Sequence, residues 1–359
     1  MRIVRAAVEE IRLALPRPLL TSRGAVAMRR GLLLRLTSDA GVEGVGEASP
    51  AEWIGETSVA LVADDLRRIV ALAGERPDAA RLHALVLSTG GGYSPAAMCA
   101  VDTALVDLEA TRRGIAVCAL LGGDPTATLP VRALLAGERV ERLRDDAADA
   151  VAHGFRVLKL KVGATPLVDD VARVDAVRRL VGPGIALHLD ANRAWTFAQA
   201  RVALAALAPL GIALLEEPLR APEPDDLAAL AASAPIPLAL DESIADAAAL
   251  LRATSAGGVS ALIVKAGRVG GPTRALALAR VAAQRGLGVI VTDSIESAVG
   301  MGAALHIAAA LATPVLAVGL GGARHLTDVE HALTAPLLRA AGPGLAVAAV
   351  SPAQAATHA

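Results

Sequence analysis

Aromatic residues and cysteines are the scarcest side chains in this chain of 359 residues, which has 2 Trp, 1 Tyr, 2 Phe and 2 Cys. Five aromatic residues provide no stacking platform for nucleic-acid bases. The 35 basic and 36 acidic residues leave no positive excess for phosphate groups. Cys99 and Cys118 form no C-x-x-C pair, so a disulfide framework and a zinc or redox motif of that kind are excluded. We expect no nucleic-acid partner and a cytoplasmic location.

The sequence predicts neither a signal peptide nor a membrane span. Met1–Arg5 lacks the apolar core of a signal peptide. Between Ser297 and Ala323 the chain carries no Asp, Glu, Lys or Arg, but glycines, a histidine and a Thr-Pro pair interrupt this stretch. We interpret it as a buried helix over about Met301–Leu311 followed by a buried strand at Val315–Val318. We therefore expect no membrane contact.

The first 125 or so residues predict a separate α+β unit. Ser38–Gly41 has the composition of a hairpin turn, and the Ser-Pro pair at Ser94 is a helix start signal. The predicted strands and helices of this unit are strands at Ile3–Leu13, Arg30–Thr37 and Gly41–Glu47 and helices at Ser58–Leu72 and Ser94–Arg113.

From about residue 126 onward, short apolar runs that end in a polar residue alternate with alanine-rich helical stretches. Such alternation is typical of a parallel sheet in an α/β fold. Eight strands are predicted, at Val131–Leu135, Val157–Lys161, Ile185–Asp190, Ile212–Glu216, Leu238–Asp241, Ala261–Lys265, Val289–Thr292 and Val315–Gly319. Eight strand-helix units close a TIM-type barrel with its site at the carboxyl ends of the strands. An open doubly wound sheet is the alternative, but no G-x-G-x-x-G turn follows a strand here.

Lysine is nearly absent from the chain. It occurs only at Lys159, Lys161 and Lys265, and the other 32 of the 35 basic residues are arginine. A guanidinium keeps its proton at any ordinary pH, whereas a desolvated ammonium group loses its proton readily, so of the two only lysine can serve as a general base. All three lysines also fall at predicted strand ends. We interpret them as candidates for chemistry.

Lys159 and Lys161 lie two residues apart on one predicted strand, so their side chains point to the same face. In a closed barrel this face points inward. Two neighbouring ammonium groups in a low-dielectric interior repel each other, which lowers the pKa of at least one of them towards neutrality. The pair therefore predicts a usable base inside the barrel.

Three consecutive predicted strands end in a carboxylate, at Asp190, Glu216 and Asp241. Their side chains are expected to converge at the barrel mouth, where an all-oxygen ligand set suits Mg²⁺ better than zinc. Glu216 continues the spacing between strand ends, so we expect Glu216 and not Glu217 to be the ligand. His188 shares a strand face with Asp190, and we interpret it as a packed core histidine.

Lys161 and Lys265 lie two strands before and two strands after Glu216, so they are expected to face each other across the metal. A base beside a metal-bound carboxylate can remove the proton from the adjacent carbon, because the metal stabilises the enediolate that forms. The opposite lysine would then protonate the other face, as in an epimerase, or stabilise the anion, as in a lyase. The residues predict a small-molecule carboxylate substrate and leave both reactions open.

The Lys-x-Lys pair, the three carboxylates, the Glu-Glu-Pro and Asp-Glu-Ser motifs and Lys265 occur in an order and spacing that resemble the enolase superfamily, in particular its muconate-lactonizing subgroup. The resemblance spans nearly the whole chain. It implies an α/β fold with a modified (β/α)7β TIM barrel over 126–324. It also implies an α+β capping domain over 1–125 that is completed by 325–359.

By the same resemblance, Lys161 is the acid/base and Lys265 is its partner across the site. Lys159 is expected to support Lys161 and to contact the substrate carboxylate. The resemblance also implies a magnesium site, for which Mn²⁺ can substitute, with the ligands Asp190, Glu216 and Asp241. A homo-oligomer is left open.

Within that subgroup the chain is most similar to the o-succinylbenzoate synthases of menaquinone biosynthesis. The similar segments are 15–24, 29–31, 44–50, 189–195 and 293–297. That family catalyses a hydro-lyase reaction, the syn dehydration of 2-succinyl-6-hydroxy-2,4-cyclohexadiene-1-carboxylate. The resemblance implies substrate contacts from Lys159, Thr21, Arg23, Asn192, Ser294 and Gly321. Thr21 and Arg23 are expected on a loop that folds over the barrel mouth.

Other members of the superfamily differ from this chain at two strand ends. Gly319–Ala323, near the eighth strand, lacks the glutamate of muconate cycloisomerases and the Asp-x-Asp of dipeptide epimerases. Thr292–Ser294 has no histidine of the kind that mandelate-racemase-type enzymes carry on the seventh strand. The alternative function is an N-succinylamino acid racemase or another amino acid or dipeptide epimerase, because some relatives catalyse both dehydration and racemisation with the same two lysines.

Overall fold

The computed structural model describes residues 1–21, 24–75, 77–88, 92–137, 139–221, 223–255, 257–311, 316–326 and 331–350. Its N-terminal unit is an antiparallel sheet covered by helices, with the strands in the order β1-β2-β3. The elements are β1 (Ile3–Thr21), β2 (Gly24–Ser38), β3 (Glu43–Ala48), α1 (Val59–Gly74), α2 (Ala79–Leu87), α3 (Pro95–Arg113) and α4 (Val117–Leu120).

The predicted turn and two predicted helices of this unit are confirmed. The backbone N–H of Gly41 donates to the carbonyl of Ser38 at 2.9 Å, which closes the hairpin turn. The hydroxyl oxygens of Ser58 and Ser94 accept backbone N–H groups at the starts of α1 and α3. The helix α2 was not predicted; its N-cap is Asp78.

The first two strands are longer than predicted, because their antiparallel pairing continues to Thr21 and Gly24. The expectation that Thr21 lies on a loop is therefore wrong: it is the last residue of β1. Arg23 lies outside the described residues. Towards this end of the hairpin, Leu15 is buried against Ile295 of the barrel, so β1 reaches the side of the molecule that carries the strand ends.

Helix α3 packs closely on the sheet. A Cβ atom at Gly46 would lie 1.9 Å from the carbonyl oxygen of Ala100, so this approach requires glycine. Leu32, Leu34 and Leu36 alternate along β2 and are all buried. The N-terminal unit therefore has its own hydrophobic core between one face of the sheet and its helices.

The rest of the chain alternates between strands and helices. Its elements are β4 (Thr128–Pro130), β5 (Arg132–Leu134), α5 (Val140–Ala152), β6 (Val157–Lys161), α6 (Leu167–Val181), β7 (Ala186–Asp190), α7 (Phe197–Leu207), β8 (Leu214–Glu216), α8 (Pro224–Ser233), β9 (Leu238–Leu240), α9 (Ala247–Ala253), β10 (Val259–Val264), α10 (Ala266–Val269), α11 (Pro272–Gln284), β11 (Gly288–Val291), α12 (Ala298–Ala309), β12 (Leu337–Ala340) and β13 (Val347–Ala349).

Strands β5 to β11 form one parallel sheet in sequence order. The predicted eighth strand connects its two edges, because Val318 pairs with Val131 and Gly319 pairs with Thr292. This pairing is too short to form a regular strand, and Val315, where the prediction begins, lies outside the described residues. The predicted (β/α)7β barrel, an α/β fold of the TIM type, is confirmed.

The barrel interior has an apolar half and a polar half. The apolar half is a cluster of Leu214, Ala239, Ala261, Ile263 and Ile290. On β5 to β7 the interior holds buried polar side chains instead, namely Arg132, Lys159 and His188. The buried polar side chains of the interior are thus concentrated on β5 to β7, whereas the predicted site also takes residues from the ends of β8 to β10.

The uncharged stretch near the C-terminus contains α12, which begins three residues before the helix predicted there. Ten of its twelve residues are buried. In the described part of the chain, no helix is long and apolar enough to cross a membrane. Beyond α12, β12 and β13 form a small antiparallel sheet with β4.

Candidate active site

The carboxyl ends of five neighbouring strands bring six predicted residues to one mouth of the barrel. They are Lys159 and Lys161 on β6, Asp190 at the end of β7, Glu216 at the end of β8, Asp241 directly after β9 and Lys265 directly after β10. Because the strands are parallel and adjacent, their carboxyl ends meet at the same edge. The sheet order therefore places Lys161 two strands before Glu216 and Lys265 two strands after it, as the sequence predicts.

Lys159 lies between two carboxylates. Its Nζ is 2.8 Å from both carboxylate oxygens of Glu216 and 2.7 Å from Oδ2 of Asp190. Burial lowers the pKa of the Lys159 ammonium group, against the attraction of these two carboxylates. Repulsion from Lys161 acts in the same direction but is a smaller cause than burial. The direction of this shift agrees with the sequence prediction, while its main cause differs.

Lys161 is held by two partners. Its Nζ donates to Oδ2 of Asp190 at 2.5 Å and to Oδ1 of Asn192 at 2.7 Å. Asn192 in turn donates from Nδ2 to Oε1 of Glu242 at 2.7 Å. Burial acts to raise the pKa of Asp190, but Lys159 and Lys161 outweigh it and hold this pKa well below its usual range. Asn192, predicted as a substrate contact, therefore also orients Lys161.

Lys265 contacts the third carboxylate from the other side of the site. Its Nζ donates to Oδ2 of Asp241, whose Oδ1 accepts from Nη1 of Arg268 at 2.7 Å. Arg268 also donates from Nε to Oε1 of Glu56 at 3.1 Å, which links the site to the N-terminal unit. Burial acts to lower the pKa of Lys265, but Asp241 outweighs it and the pKa is raised.

The two neighbouring glutamates after β8 point in different directions. Glu216 faces Lys159, whereas Glu217 accepts hydrogen bonds at Oε1 from the backbone N–H groups of Asp241 and Ser243 at 2.7 and 2.9 Å. Burial raises the pKa of Glu216 to about 7, with a further contribution from Asp190. Burial likewise raises the pKa of Glu217 to about 7. Glu217 supports the loop that carries Asp241. That Glu216 and not Glu217 is a metal ligand stays a prediction.

The carboxylates Asp190, Glu216 and Asp241 fit a divalent cation in their chemistry. All three are almost fully buried. Burial, and after it the neighbouring Asp190, raises the pKa of Glu216, and a divalent cation would favour the charged form of this carboxylate. Oxygen donors of this kind are those that Mg²⁺ prefers. Within the described residues no three His, Cys, Asp or Glu side chains are grouped closely enough to hold a metal ion. In this structure the ammonium group of Lys159 lies between the carboxylates of Asp190 and Glu216.

A cavity opens above these residues at the barrel mouth. Six of the predicted residues line it, namely Lys159, Lys161, Lys265, Asn192, Ser294 and Gly321. Gly321 packs so tightly on the first barrel strand that a Cβ there would lie 2.1 Å from the carbonyl oxygen of Arg132. Nothing is described of the side chain of Thr21 or of Arg23, so their predicted contacts with the substrate stay predictions.

Several cavity residues were not identified from the sequence. Arg132 is buried on the first barrel strand, lines the cavity and approaches Glu216 with a distance of 3.5 Å from Nη1 to Oε2. Trp53 and Glu242 also line it. His188 is buried, and burial together with Arg132 lowers its pKa to about 3, which agrees with a neutral core histidine. Strand periodicity alone could have placed Arg132 inward, two residues before Leu134.

Comparisons with known proteins agree with this arrangement. Residues 142–348 match the family model described as enolase C-terminal domain-like. Residues 4–122 match the N-terminal domain of mandelate racemase / muconate lactonizing enzyme.

Individual relatives cover most of the chain. It is 31% identical to the L-Ala-D/L-Glu epimerase of Bacillus subtilis over 86% of this chain and 85% of the relative. It is 28% identical to the N-succinyl-L-Arg/Lys racemase of Bacillus cereus over 86% and 84%. Among solved structures, the dipeptide epimerase of Enterococcus faecalis complexed with Mg and L-Leu-L-Tyr superposes with a TM-score of 0.89 at 26% identity, over 97% of this chain and 100% of that one. The chain belongs to the enolase superfamily, with an N-terminal domain of the mandelate racemase / muconate lactonizing enzyme type.

Proposed function

We propose that this enzyme racemises N-acylated amino acids, in particular N-succinylamino acids, by moving the proton on the carbon next to the carboxylate. The observation that carries the proposal is the placement of Lys161 and Lys265 on the two sides of Glu216, both lining one cavity. A carbon held between two amines can lose its proton to one and regain a proton from the other. The product is then the mirror image at that carbon, with no other bond changed.

Each lysine has a partner that supports this role. Asp190 and Asn192 hold the amine of Lys161, and Asp241 holds that of Lys265. In one direction Lys161 takes the proton as its neutral amine while Lys265 donates one as an ammonium group; in the other direction the roles are exchanged. The two lysines therefore start from opposite protonation states for opposite enantiomers.

Asp190, Glu216 and Asp241 are the residues that would hold Mg²⁺. When bound, Mg²⁺ supplies an electrophile for the substrate carboxylate and makes the neighbouring C–H bond more acidic. Mg is present in the solved structure of the Enterococcus faecalis dipeptide epimerase, which supports the same cofactor here. Lys159, between Asp190 and Glu216, offers its positive charge to the carboxylate of the substrate.

The eighth strand favours a substrate whose α-nitrogen carries an acyl group. Gly319–Ala323 carries no side-chain carboxylate. A free α-ammonium group of a substrate would therefore find no carboxylate partner there, whereas enzymes with Asp-x-Asp at that place provide one. An acylated nitrogen needs none. The similarity to the N-succinyl-L-Arg/Lys racemase of Bacillus cereus supports the same class of substrate.

A second candidate is the syn dehydration catalysed by o-succinylbenzoate synthases. It is favoured by the segments 189–195 and 293–297, which resemble that family, and it uses the same two lysines. In that reaction Lys161 would take the proton and return it to the departing hydroxyl group, while Lys265 would stabilise the anion. Both candidates place a succinyl-bearing carboxylate in the same cavity.

An experiment on the wild-type enzyme with MgCl₂ distinguishes the two candidate functions. N-succinyl-L-phenylalanine and N-succinyl-L-arginine are incubated in D₂O, with proton NMR to follow loss of the α-proton and polarimetry to follow racemisation. The proposal predicts both, and neither in a sample stripped with EDTA. The dipeptide L-Ala-L-Glu, with its free ammonium group, is the control and is expected to react far more slowly.

In parallel, the cyclohexadiene precursor of o-succinylbenzoate is followed by absorbance. Turnover of this compound without racemisation of either N-succinylamino acid would replace the first candidate by the second. Reaction of the free dipeptide in preference to the acylated substrates would contradict the substrate class. Inactivity on all of these compounds with Mg²⁺ bound would overturn both candidates.

A further inference from the structure

Two loops form a wall of the cavity, and they come from different parts of the chain. Ala51 and Trp53 lie after β3 in the N-terminal unit, whereas Ser294 and Ile295 lie after β11 in the barrel. This wall is largely apolar, in contrast to the lysines at the strand ends. Its shape depends on how the two loops are held together, because no strand connects them.

Arg29 on β2 binds the backbone of both loops. Its Nε donates to the carbonyls of Ser294 at 3.1 Å and Ile295 at 3.2 Å. Its two terminal nitrogens donate to the carbonyls of Pro50 at 2.9 Å and Ser49 at 2.8 Å. The side chain is 3% exposed and does not line the cavity, so it acts from behind the wall.

Arg29 also fixes a side chain of the wall. Its Cζ lies 4.2 Å from the centroid of the Trp53 ring, which is a cation–π contact. The guanidinium lies over the ring while its nitrogens donate to four carbonyls. Lysine carries a charge of the same sign but has no such fork, so it cannot make these contacts together.

The barrel loop is in a conformation that needs support. Ile295 has a φ of 61°, a left-handed conformation in which a β-branched residue is a rare outlier. Such a conformation persists only when its surroundings hold it. The carbonyls of Ser294 and Ile295 are both acceptors for Arg29, so Arg29 stabilises the segment where the backbone is strained.

We propose that Arg29 is a positioning residue that holds Trp53 and Ile295 as one wall and so determines how tightly the apolar part of a substrate binds. This proposal rests on the proposed function for the choice of substrate only. Its structural half, the fixed place of Trp53, can be tested without turnover. Failure of the proposed function and failure of this proposal are therefore distinguishable.

The structural test uses fluorescence, because Trp53 and Trp195 are the only tryptophans. In a Trp195→Phe background Trp53 is the sole reporter, and Arg29→Lys is introduced there. We expect the Trp53 emission to move to longer wavelength and its quenching by acrylamide to increase. The matched control is Arg30→Lys, the next residue of β2, whose side chain is exposed and pairs with Glu10; it is expected to change neither signal.

The kinetic test separates positioning from general loss of structure. On N-succinyl-L-phenylalanine, Arg29→Lys is expected to raise KM roughly tenfold, as for loss of a desolvated cation–π contact with its hydrogen bonds, while kcat changes far less. Trp53→Leu, which leaves the carbonyl contacts of Arg29 in place, is expected to raise KM as well. It keeps the proposal testable if Arg29→Lys does not fold.

Three results would overturn the proposal. One is an unchanged Trp53 signal in folded Arg29→Lys. Another is a fall in kcat with KM unchanged in the same variant. The third is an unchanged KM in Trp53→Leu, since the wall would then not contact the substrate. If the wild type acts on none of the acylated substrates, the fluorescence result alone decides whether Arg29 holds the loop.

Discussion

Two regions of this molecule that bury charged side chains differ in the partners of these charges. At the barrel mouth, charges meet charges: the amines of Lys159, Lys161 and Lys265 each contact a carboxylate. At the interface between the N-terminal unit and the barrel, Arg29 and Glu47 instead bind mainly backbone groups. Arg29 donates to four carbonyls, and Glu47 accepts from N–H groups at the start of α12.

This difference distinguishes residues that can take part in binding and catalysis from residues that hold the fold together. An ion pair between two side chains can exchange partners when a cation or a charged substrate enters, because both groups keep rotatable bonds. A charge that binds several backbone groups at once fixes the segments that carry them, because these groups have no side-chain rotation of their own. Changes at the mouth should therefore alter metal binding and catalysis, whereas changes at the interface should alter stability and the shape of the cavity.

The largest effect is expected at the mouth. Glu216→Gln should weaken Mg²⁺ binding at least about 100-fold, since even changes in the residues behind metal ligands cost 10- to 100-fold. Titration calorimetry with MgCl₂ measures the affinity, and circular dichroism checks that the variant is folded. Glu43→Gln, an exposed carboxylate on β3, is the control. A folded Glu216→Gln chain with wild-type affinity for Mg²⁺ would remove Glu216 from the ligand set.

A pH-dependent loss of stability is expected from the interface. His306 is buried on α12, accepts from the backbone N–H of Cys118 at Nδ1 and donates from Nε2 to the carbonyl of Ala346. Burial lowers the pKa of His306 to about 4 from 6.5. Because the pKa of His306 is lower in the folded than in the unfolded chain, the unfolded chain binds a proton first as the pH falls. The free energy of unfolding is therefore unaffected by His306 above about pH 6.5 and decreases by roughly 3 kcal/mol as the pH falls towards 4.

Urea unfolding of wild type and His306→Gln between pH 7 and 4 measures this loss. The glutamine does not titrate, so the variant should lose less stability over this range than the wild type does. His153→Gln, at an exposed histidine, should follow the wild type. Parallel curves for wild type and His306→Gln would show that His306 contributes nothing to the pH dependence.

A somewhat smaller effect is expected from Glu47→Gln. The carboxylate of Glu47 accepts from the backbone N–H and hydroxyl of Ser297, from the N–H of Gly300 at 3.0 Å and from the hydroxyl of Ser49 at 2.6 Å. Hydrogen bonds to a charged group at a helix N-terminus are among the stronger ones, so the change should cost about 2 kcal/mol. Thermal unfolding beside the Glu43→Gln control measures the difference. Equal melting temperatures would contradict the role assigned to the interface.

The smallest effect is expected on the surface, where neither kind of burial applies. Glu109 pairs with Arg112 and Arg113 on α3, and these arginines lower its pKa to about 2. Water and salt screen such pairs, so Glu109→Gln should cost less than about 1 kcal/mol. Urea unfolding in low and high NaCl measures it, and the cost should shrink in high salt. A larger, salt-independent cost would mean that the pair is not screened.

Much of the fold follows from the sequence because the barrel repeats one pattern. Strand β6 has the bounds that its apolar run predicts, Val157–Lys161, and the other six strands of the barrel sheet differ from their predicted bounds by one or two residues at one or both ends. The predicted lengths of β1 and β2 are too short, because the residues near the hairpin end of β1 include Pro and Leu without clear alternation. Only the pairing of the two strands shows how far they extend. The helix α2, of nine residues, has too few apolar repeats to stand out.

The site was predictable where residue types are rare. Only three lysines occur beside 32 arginines, so their rarity indicates a special role. The three carboxylates follow from the regular spacing between predicted strand ends. Arg29 was missed because one arginine among many carries no signal in a single sequence. Strand periodicity could have placed Arg132 inward, but nothing in the sequence distinguishes it from the other arginines. Their roles depend on contacts between segments more than 80 residues apart, such as Arg132 with Glu216 and Arg29 with Ser294.

The central claim is that Lys161 and Lys265 act on opposite faces of one carbon. It is tested most directly by α-proton exchange in D₂O on each enantiomer of an N-succinylamino acid, with Lys161→Arg and Lys265→Arg, which keep the charge but remove the base. We predict that each variant exchanges only one enantiomer, that the two variants exchange opposite enantiomers, and that neither racemises its substrate. Exchange of both enantiomers by either variant, or racemisation by either, would contradict the account.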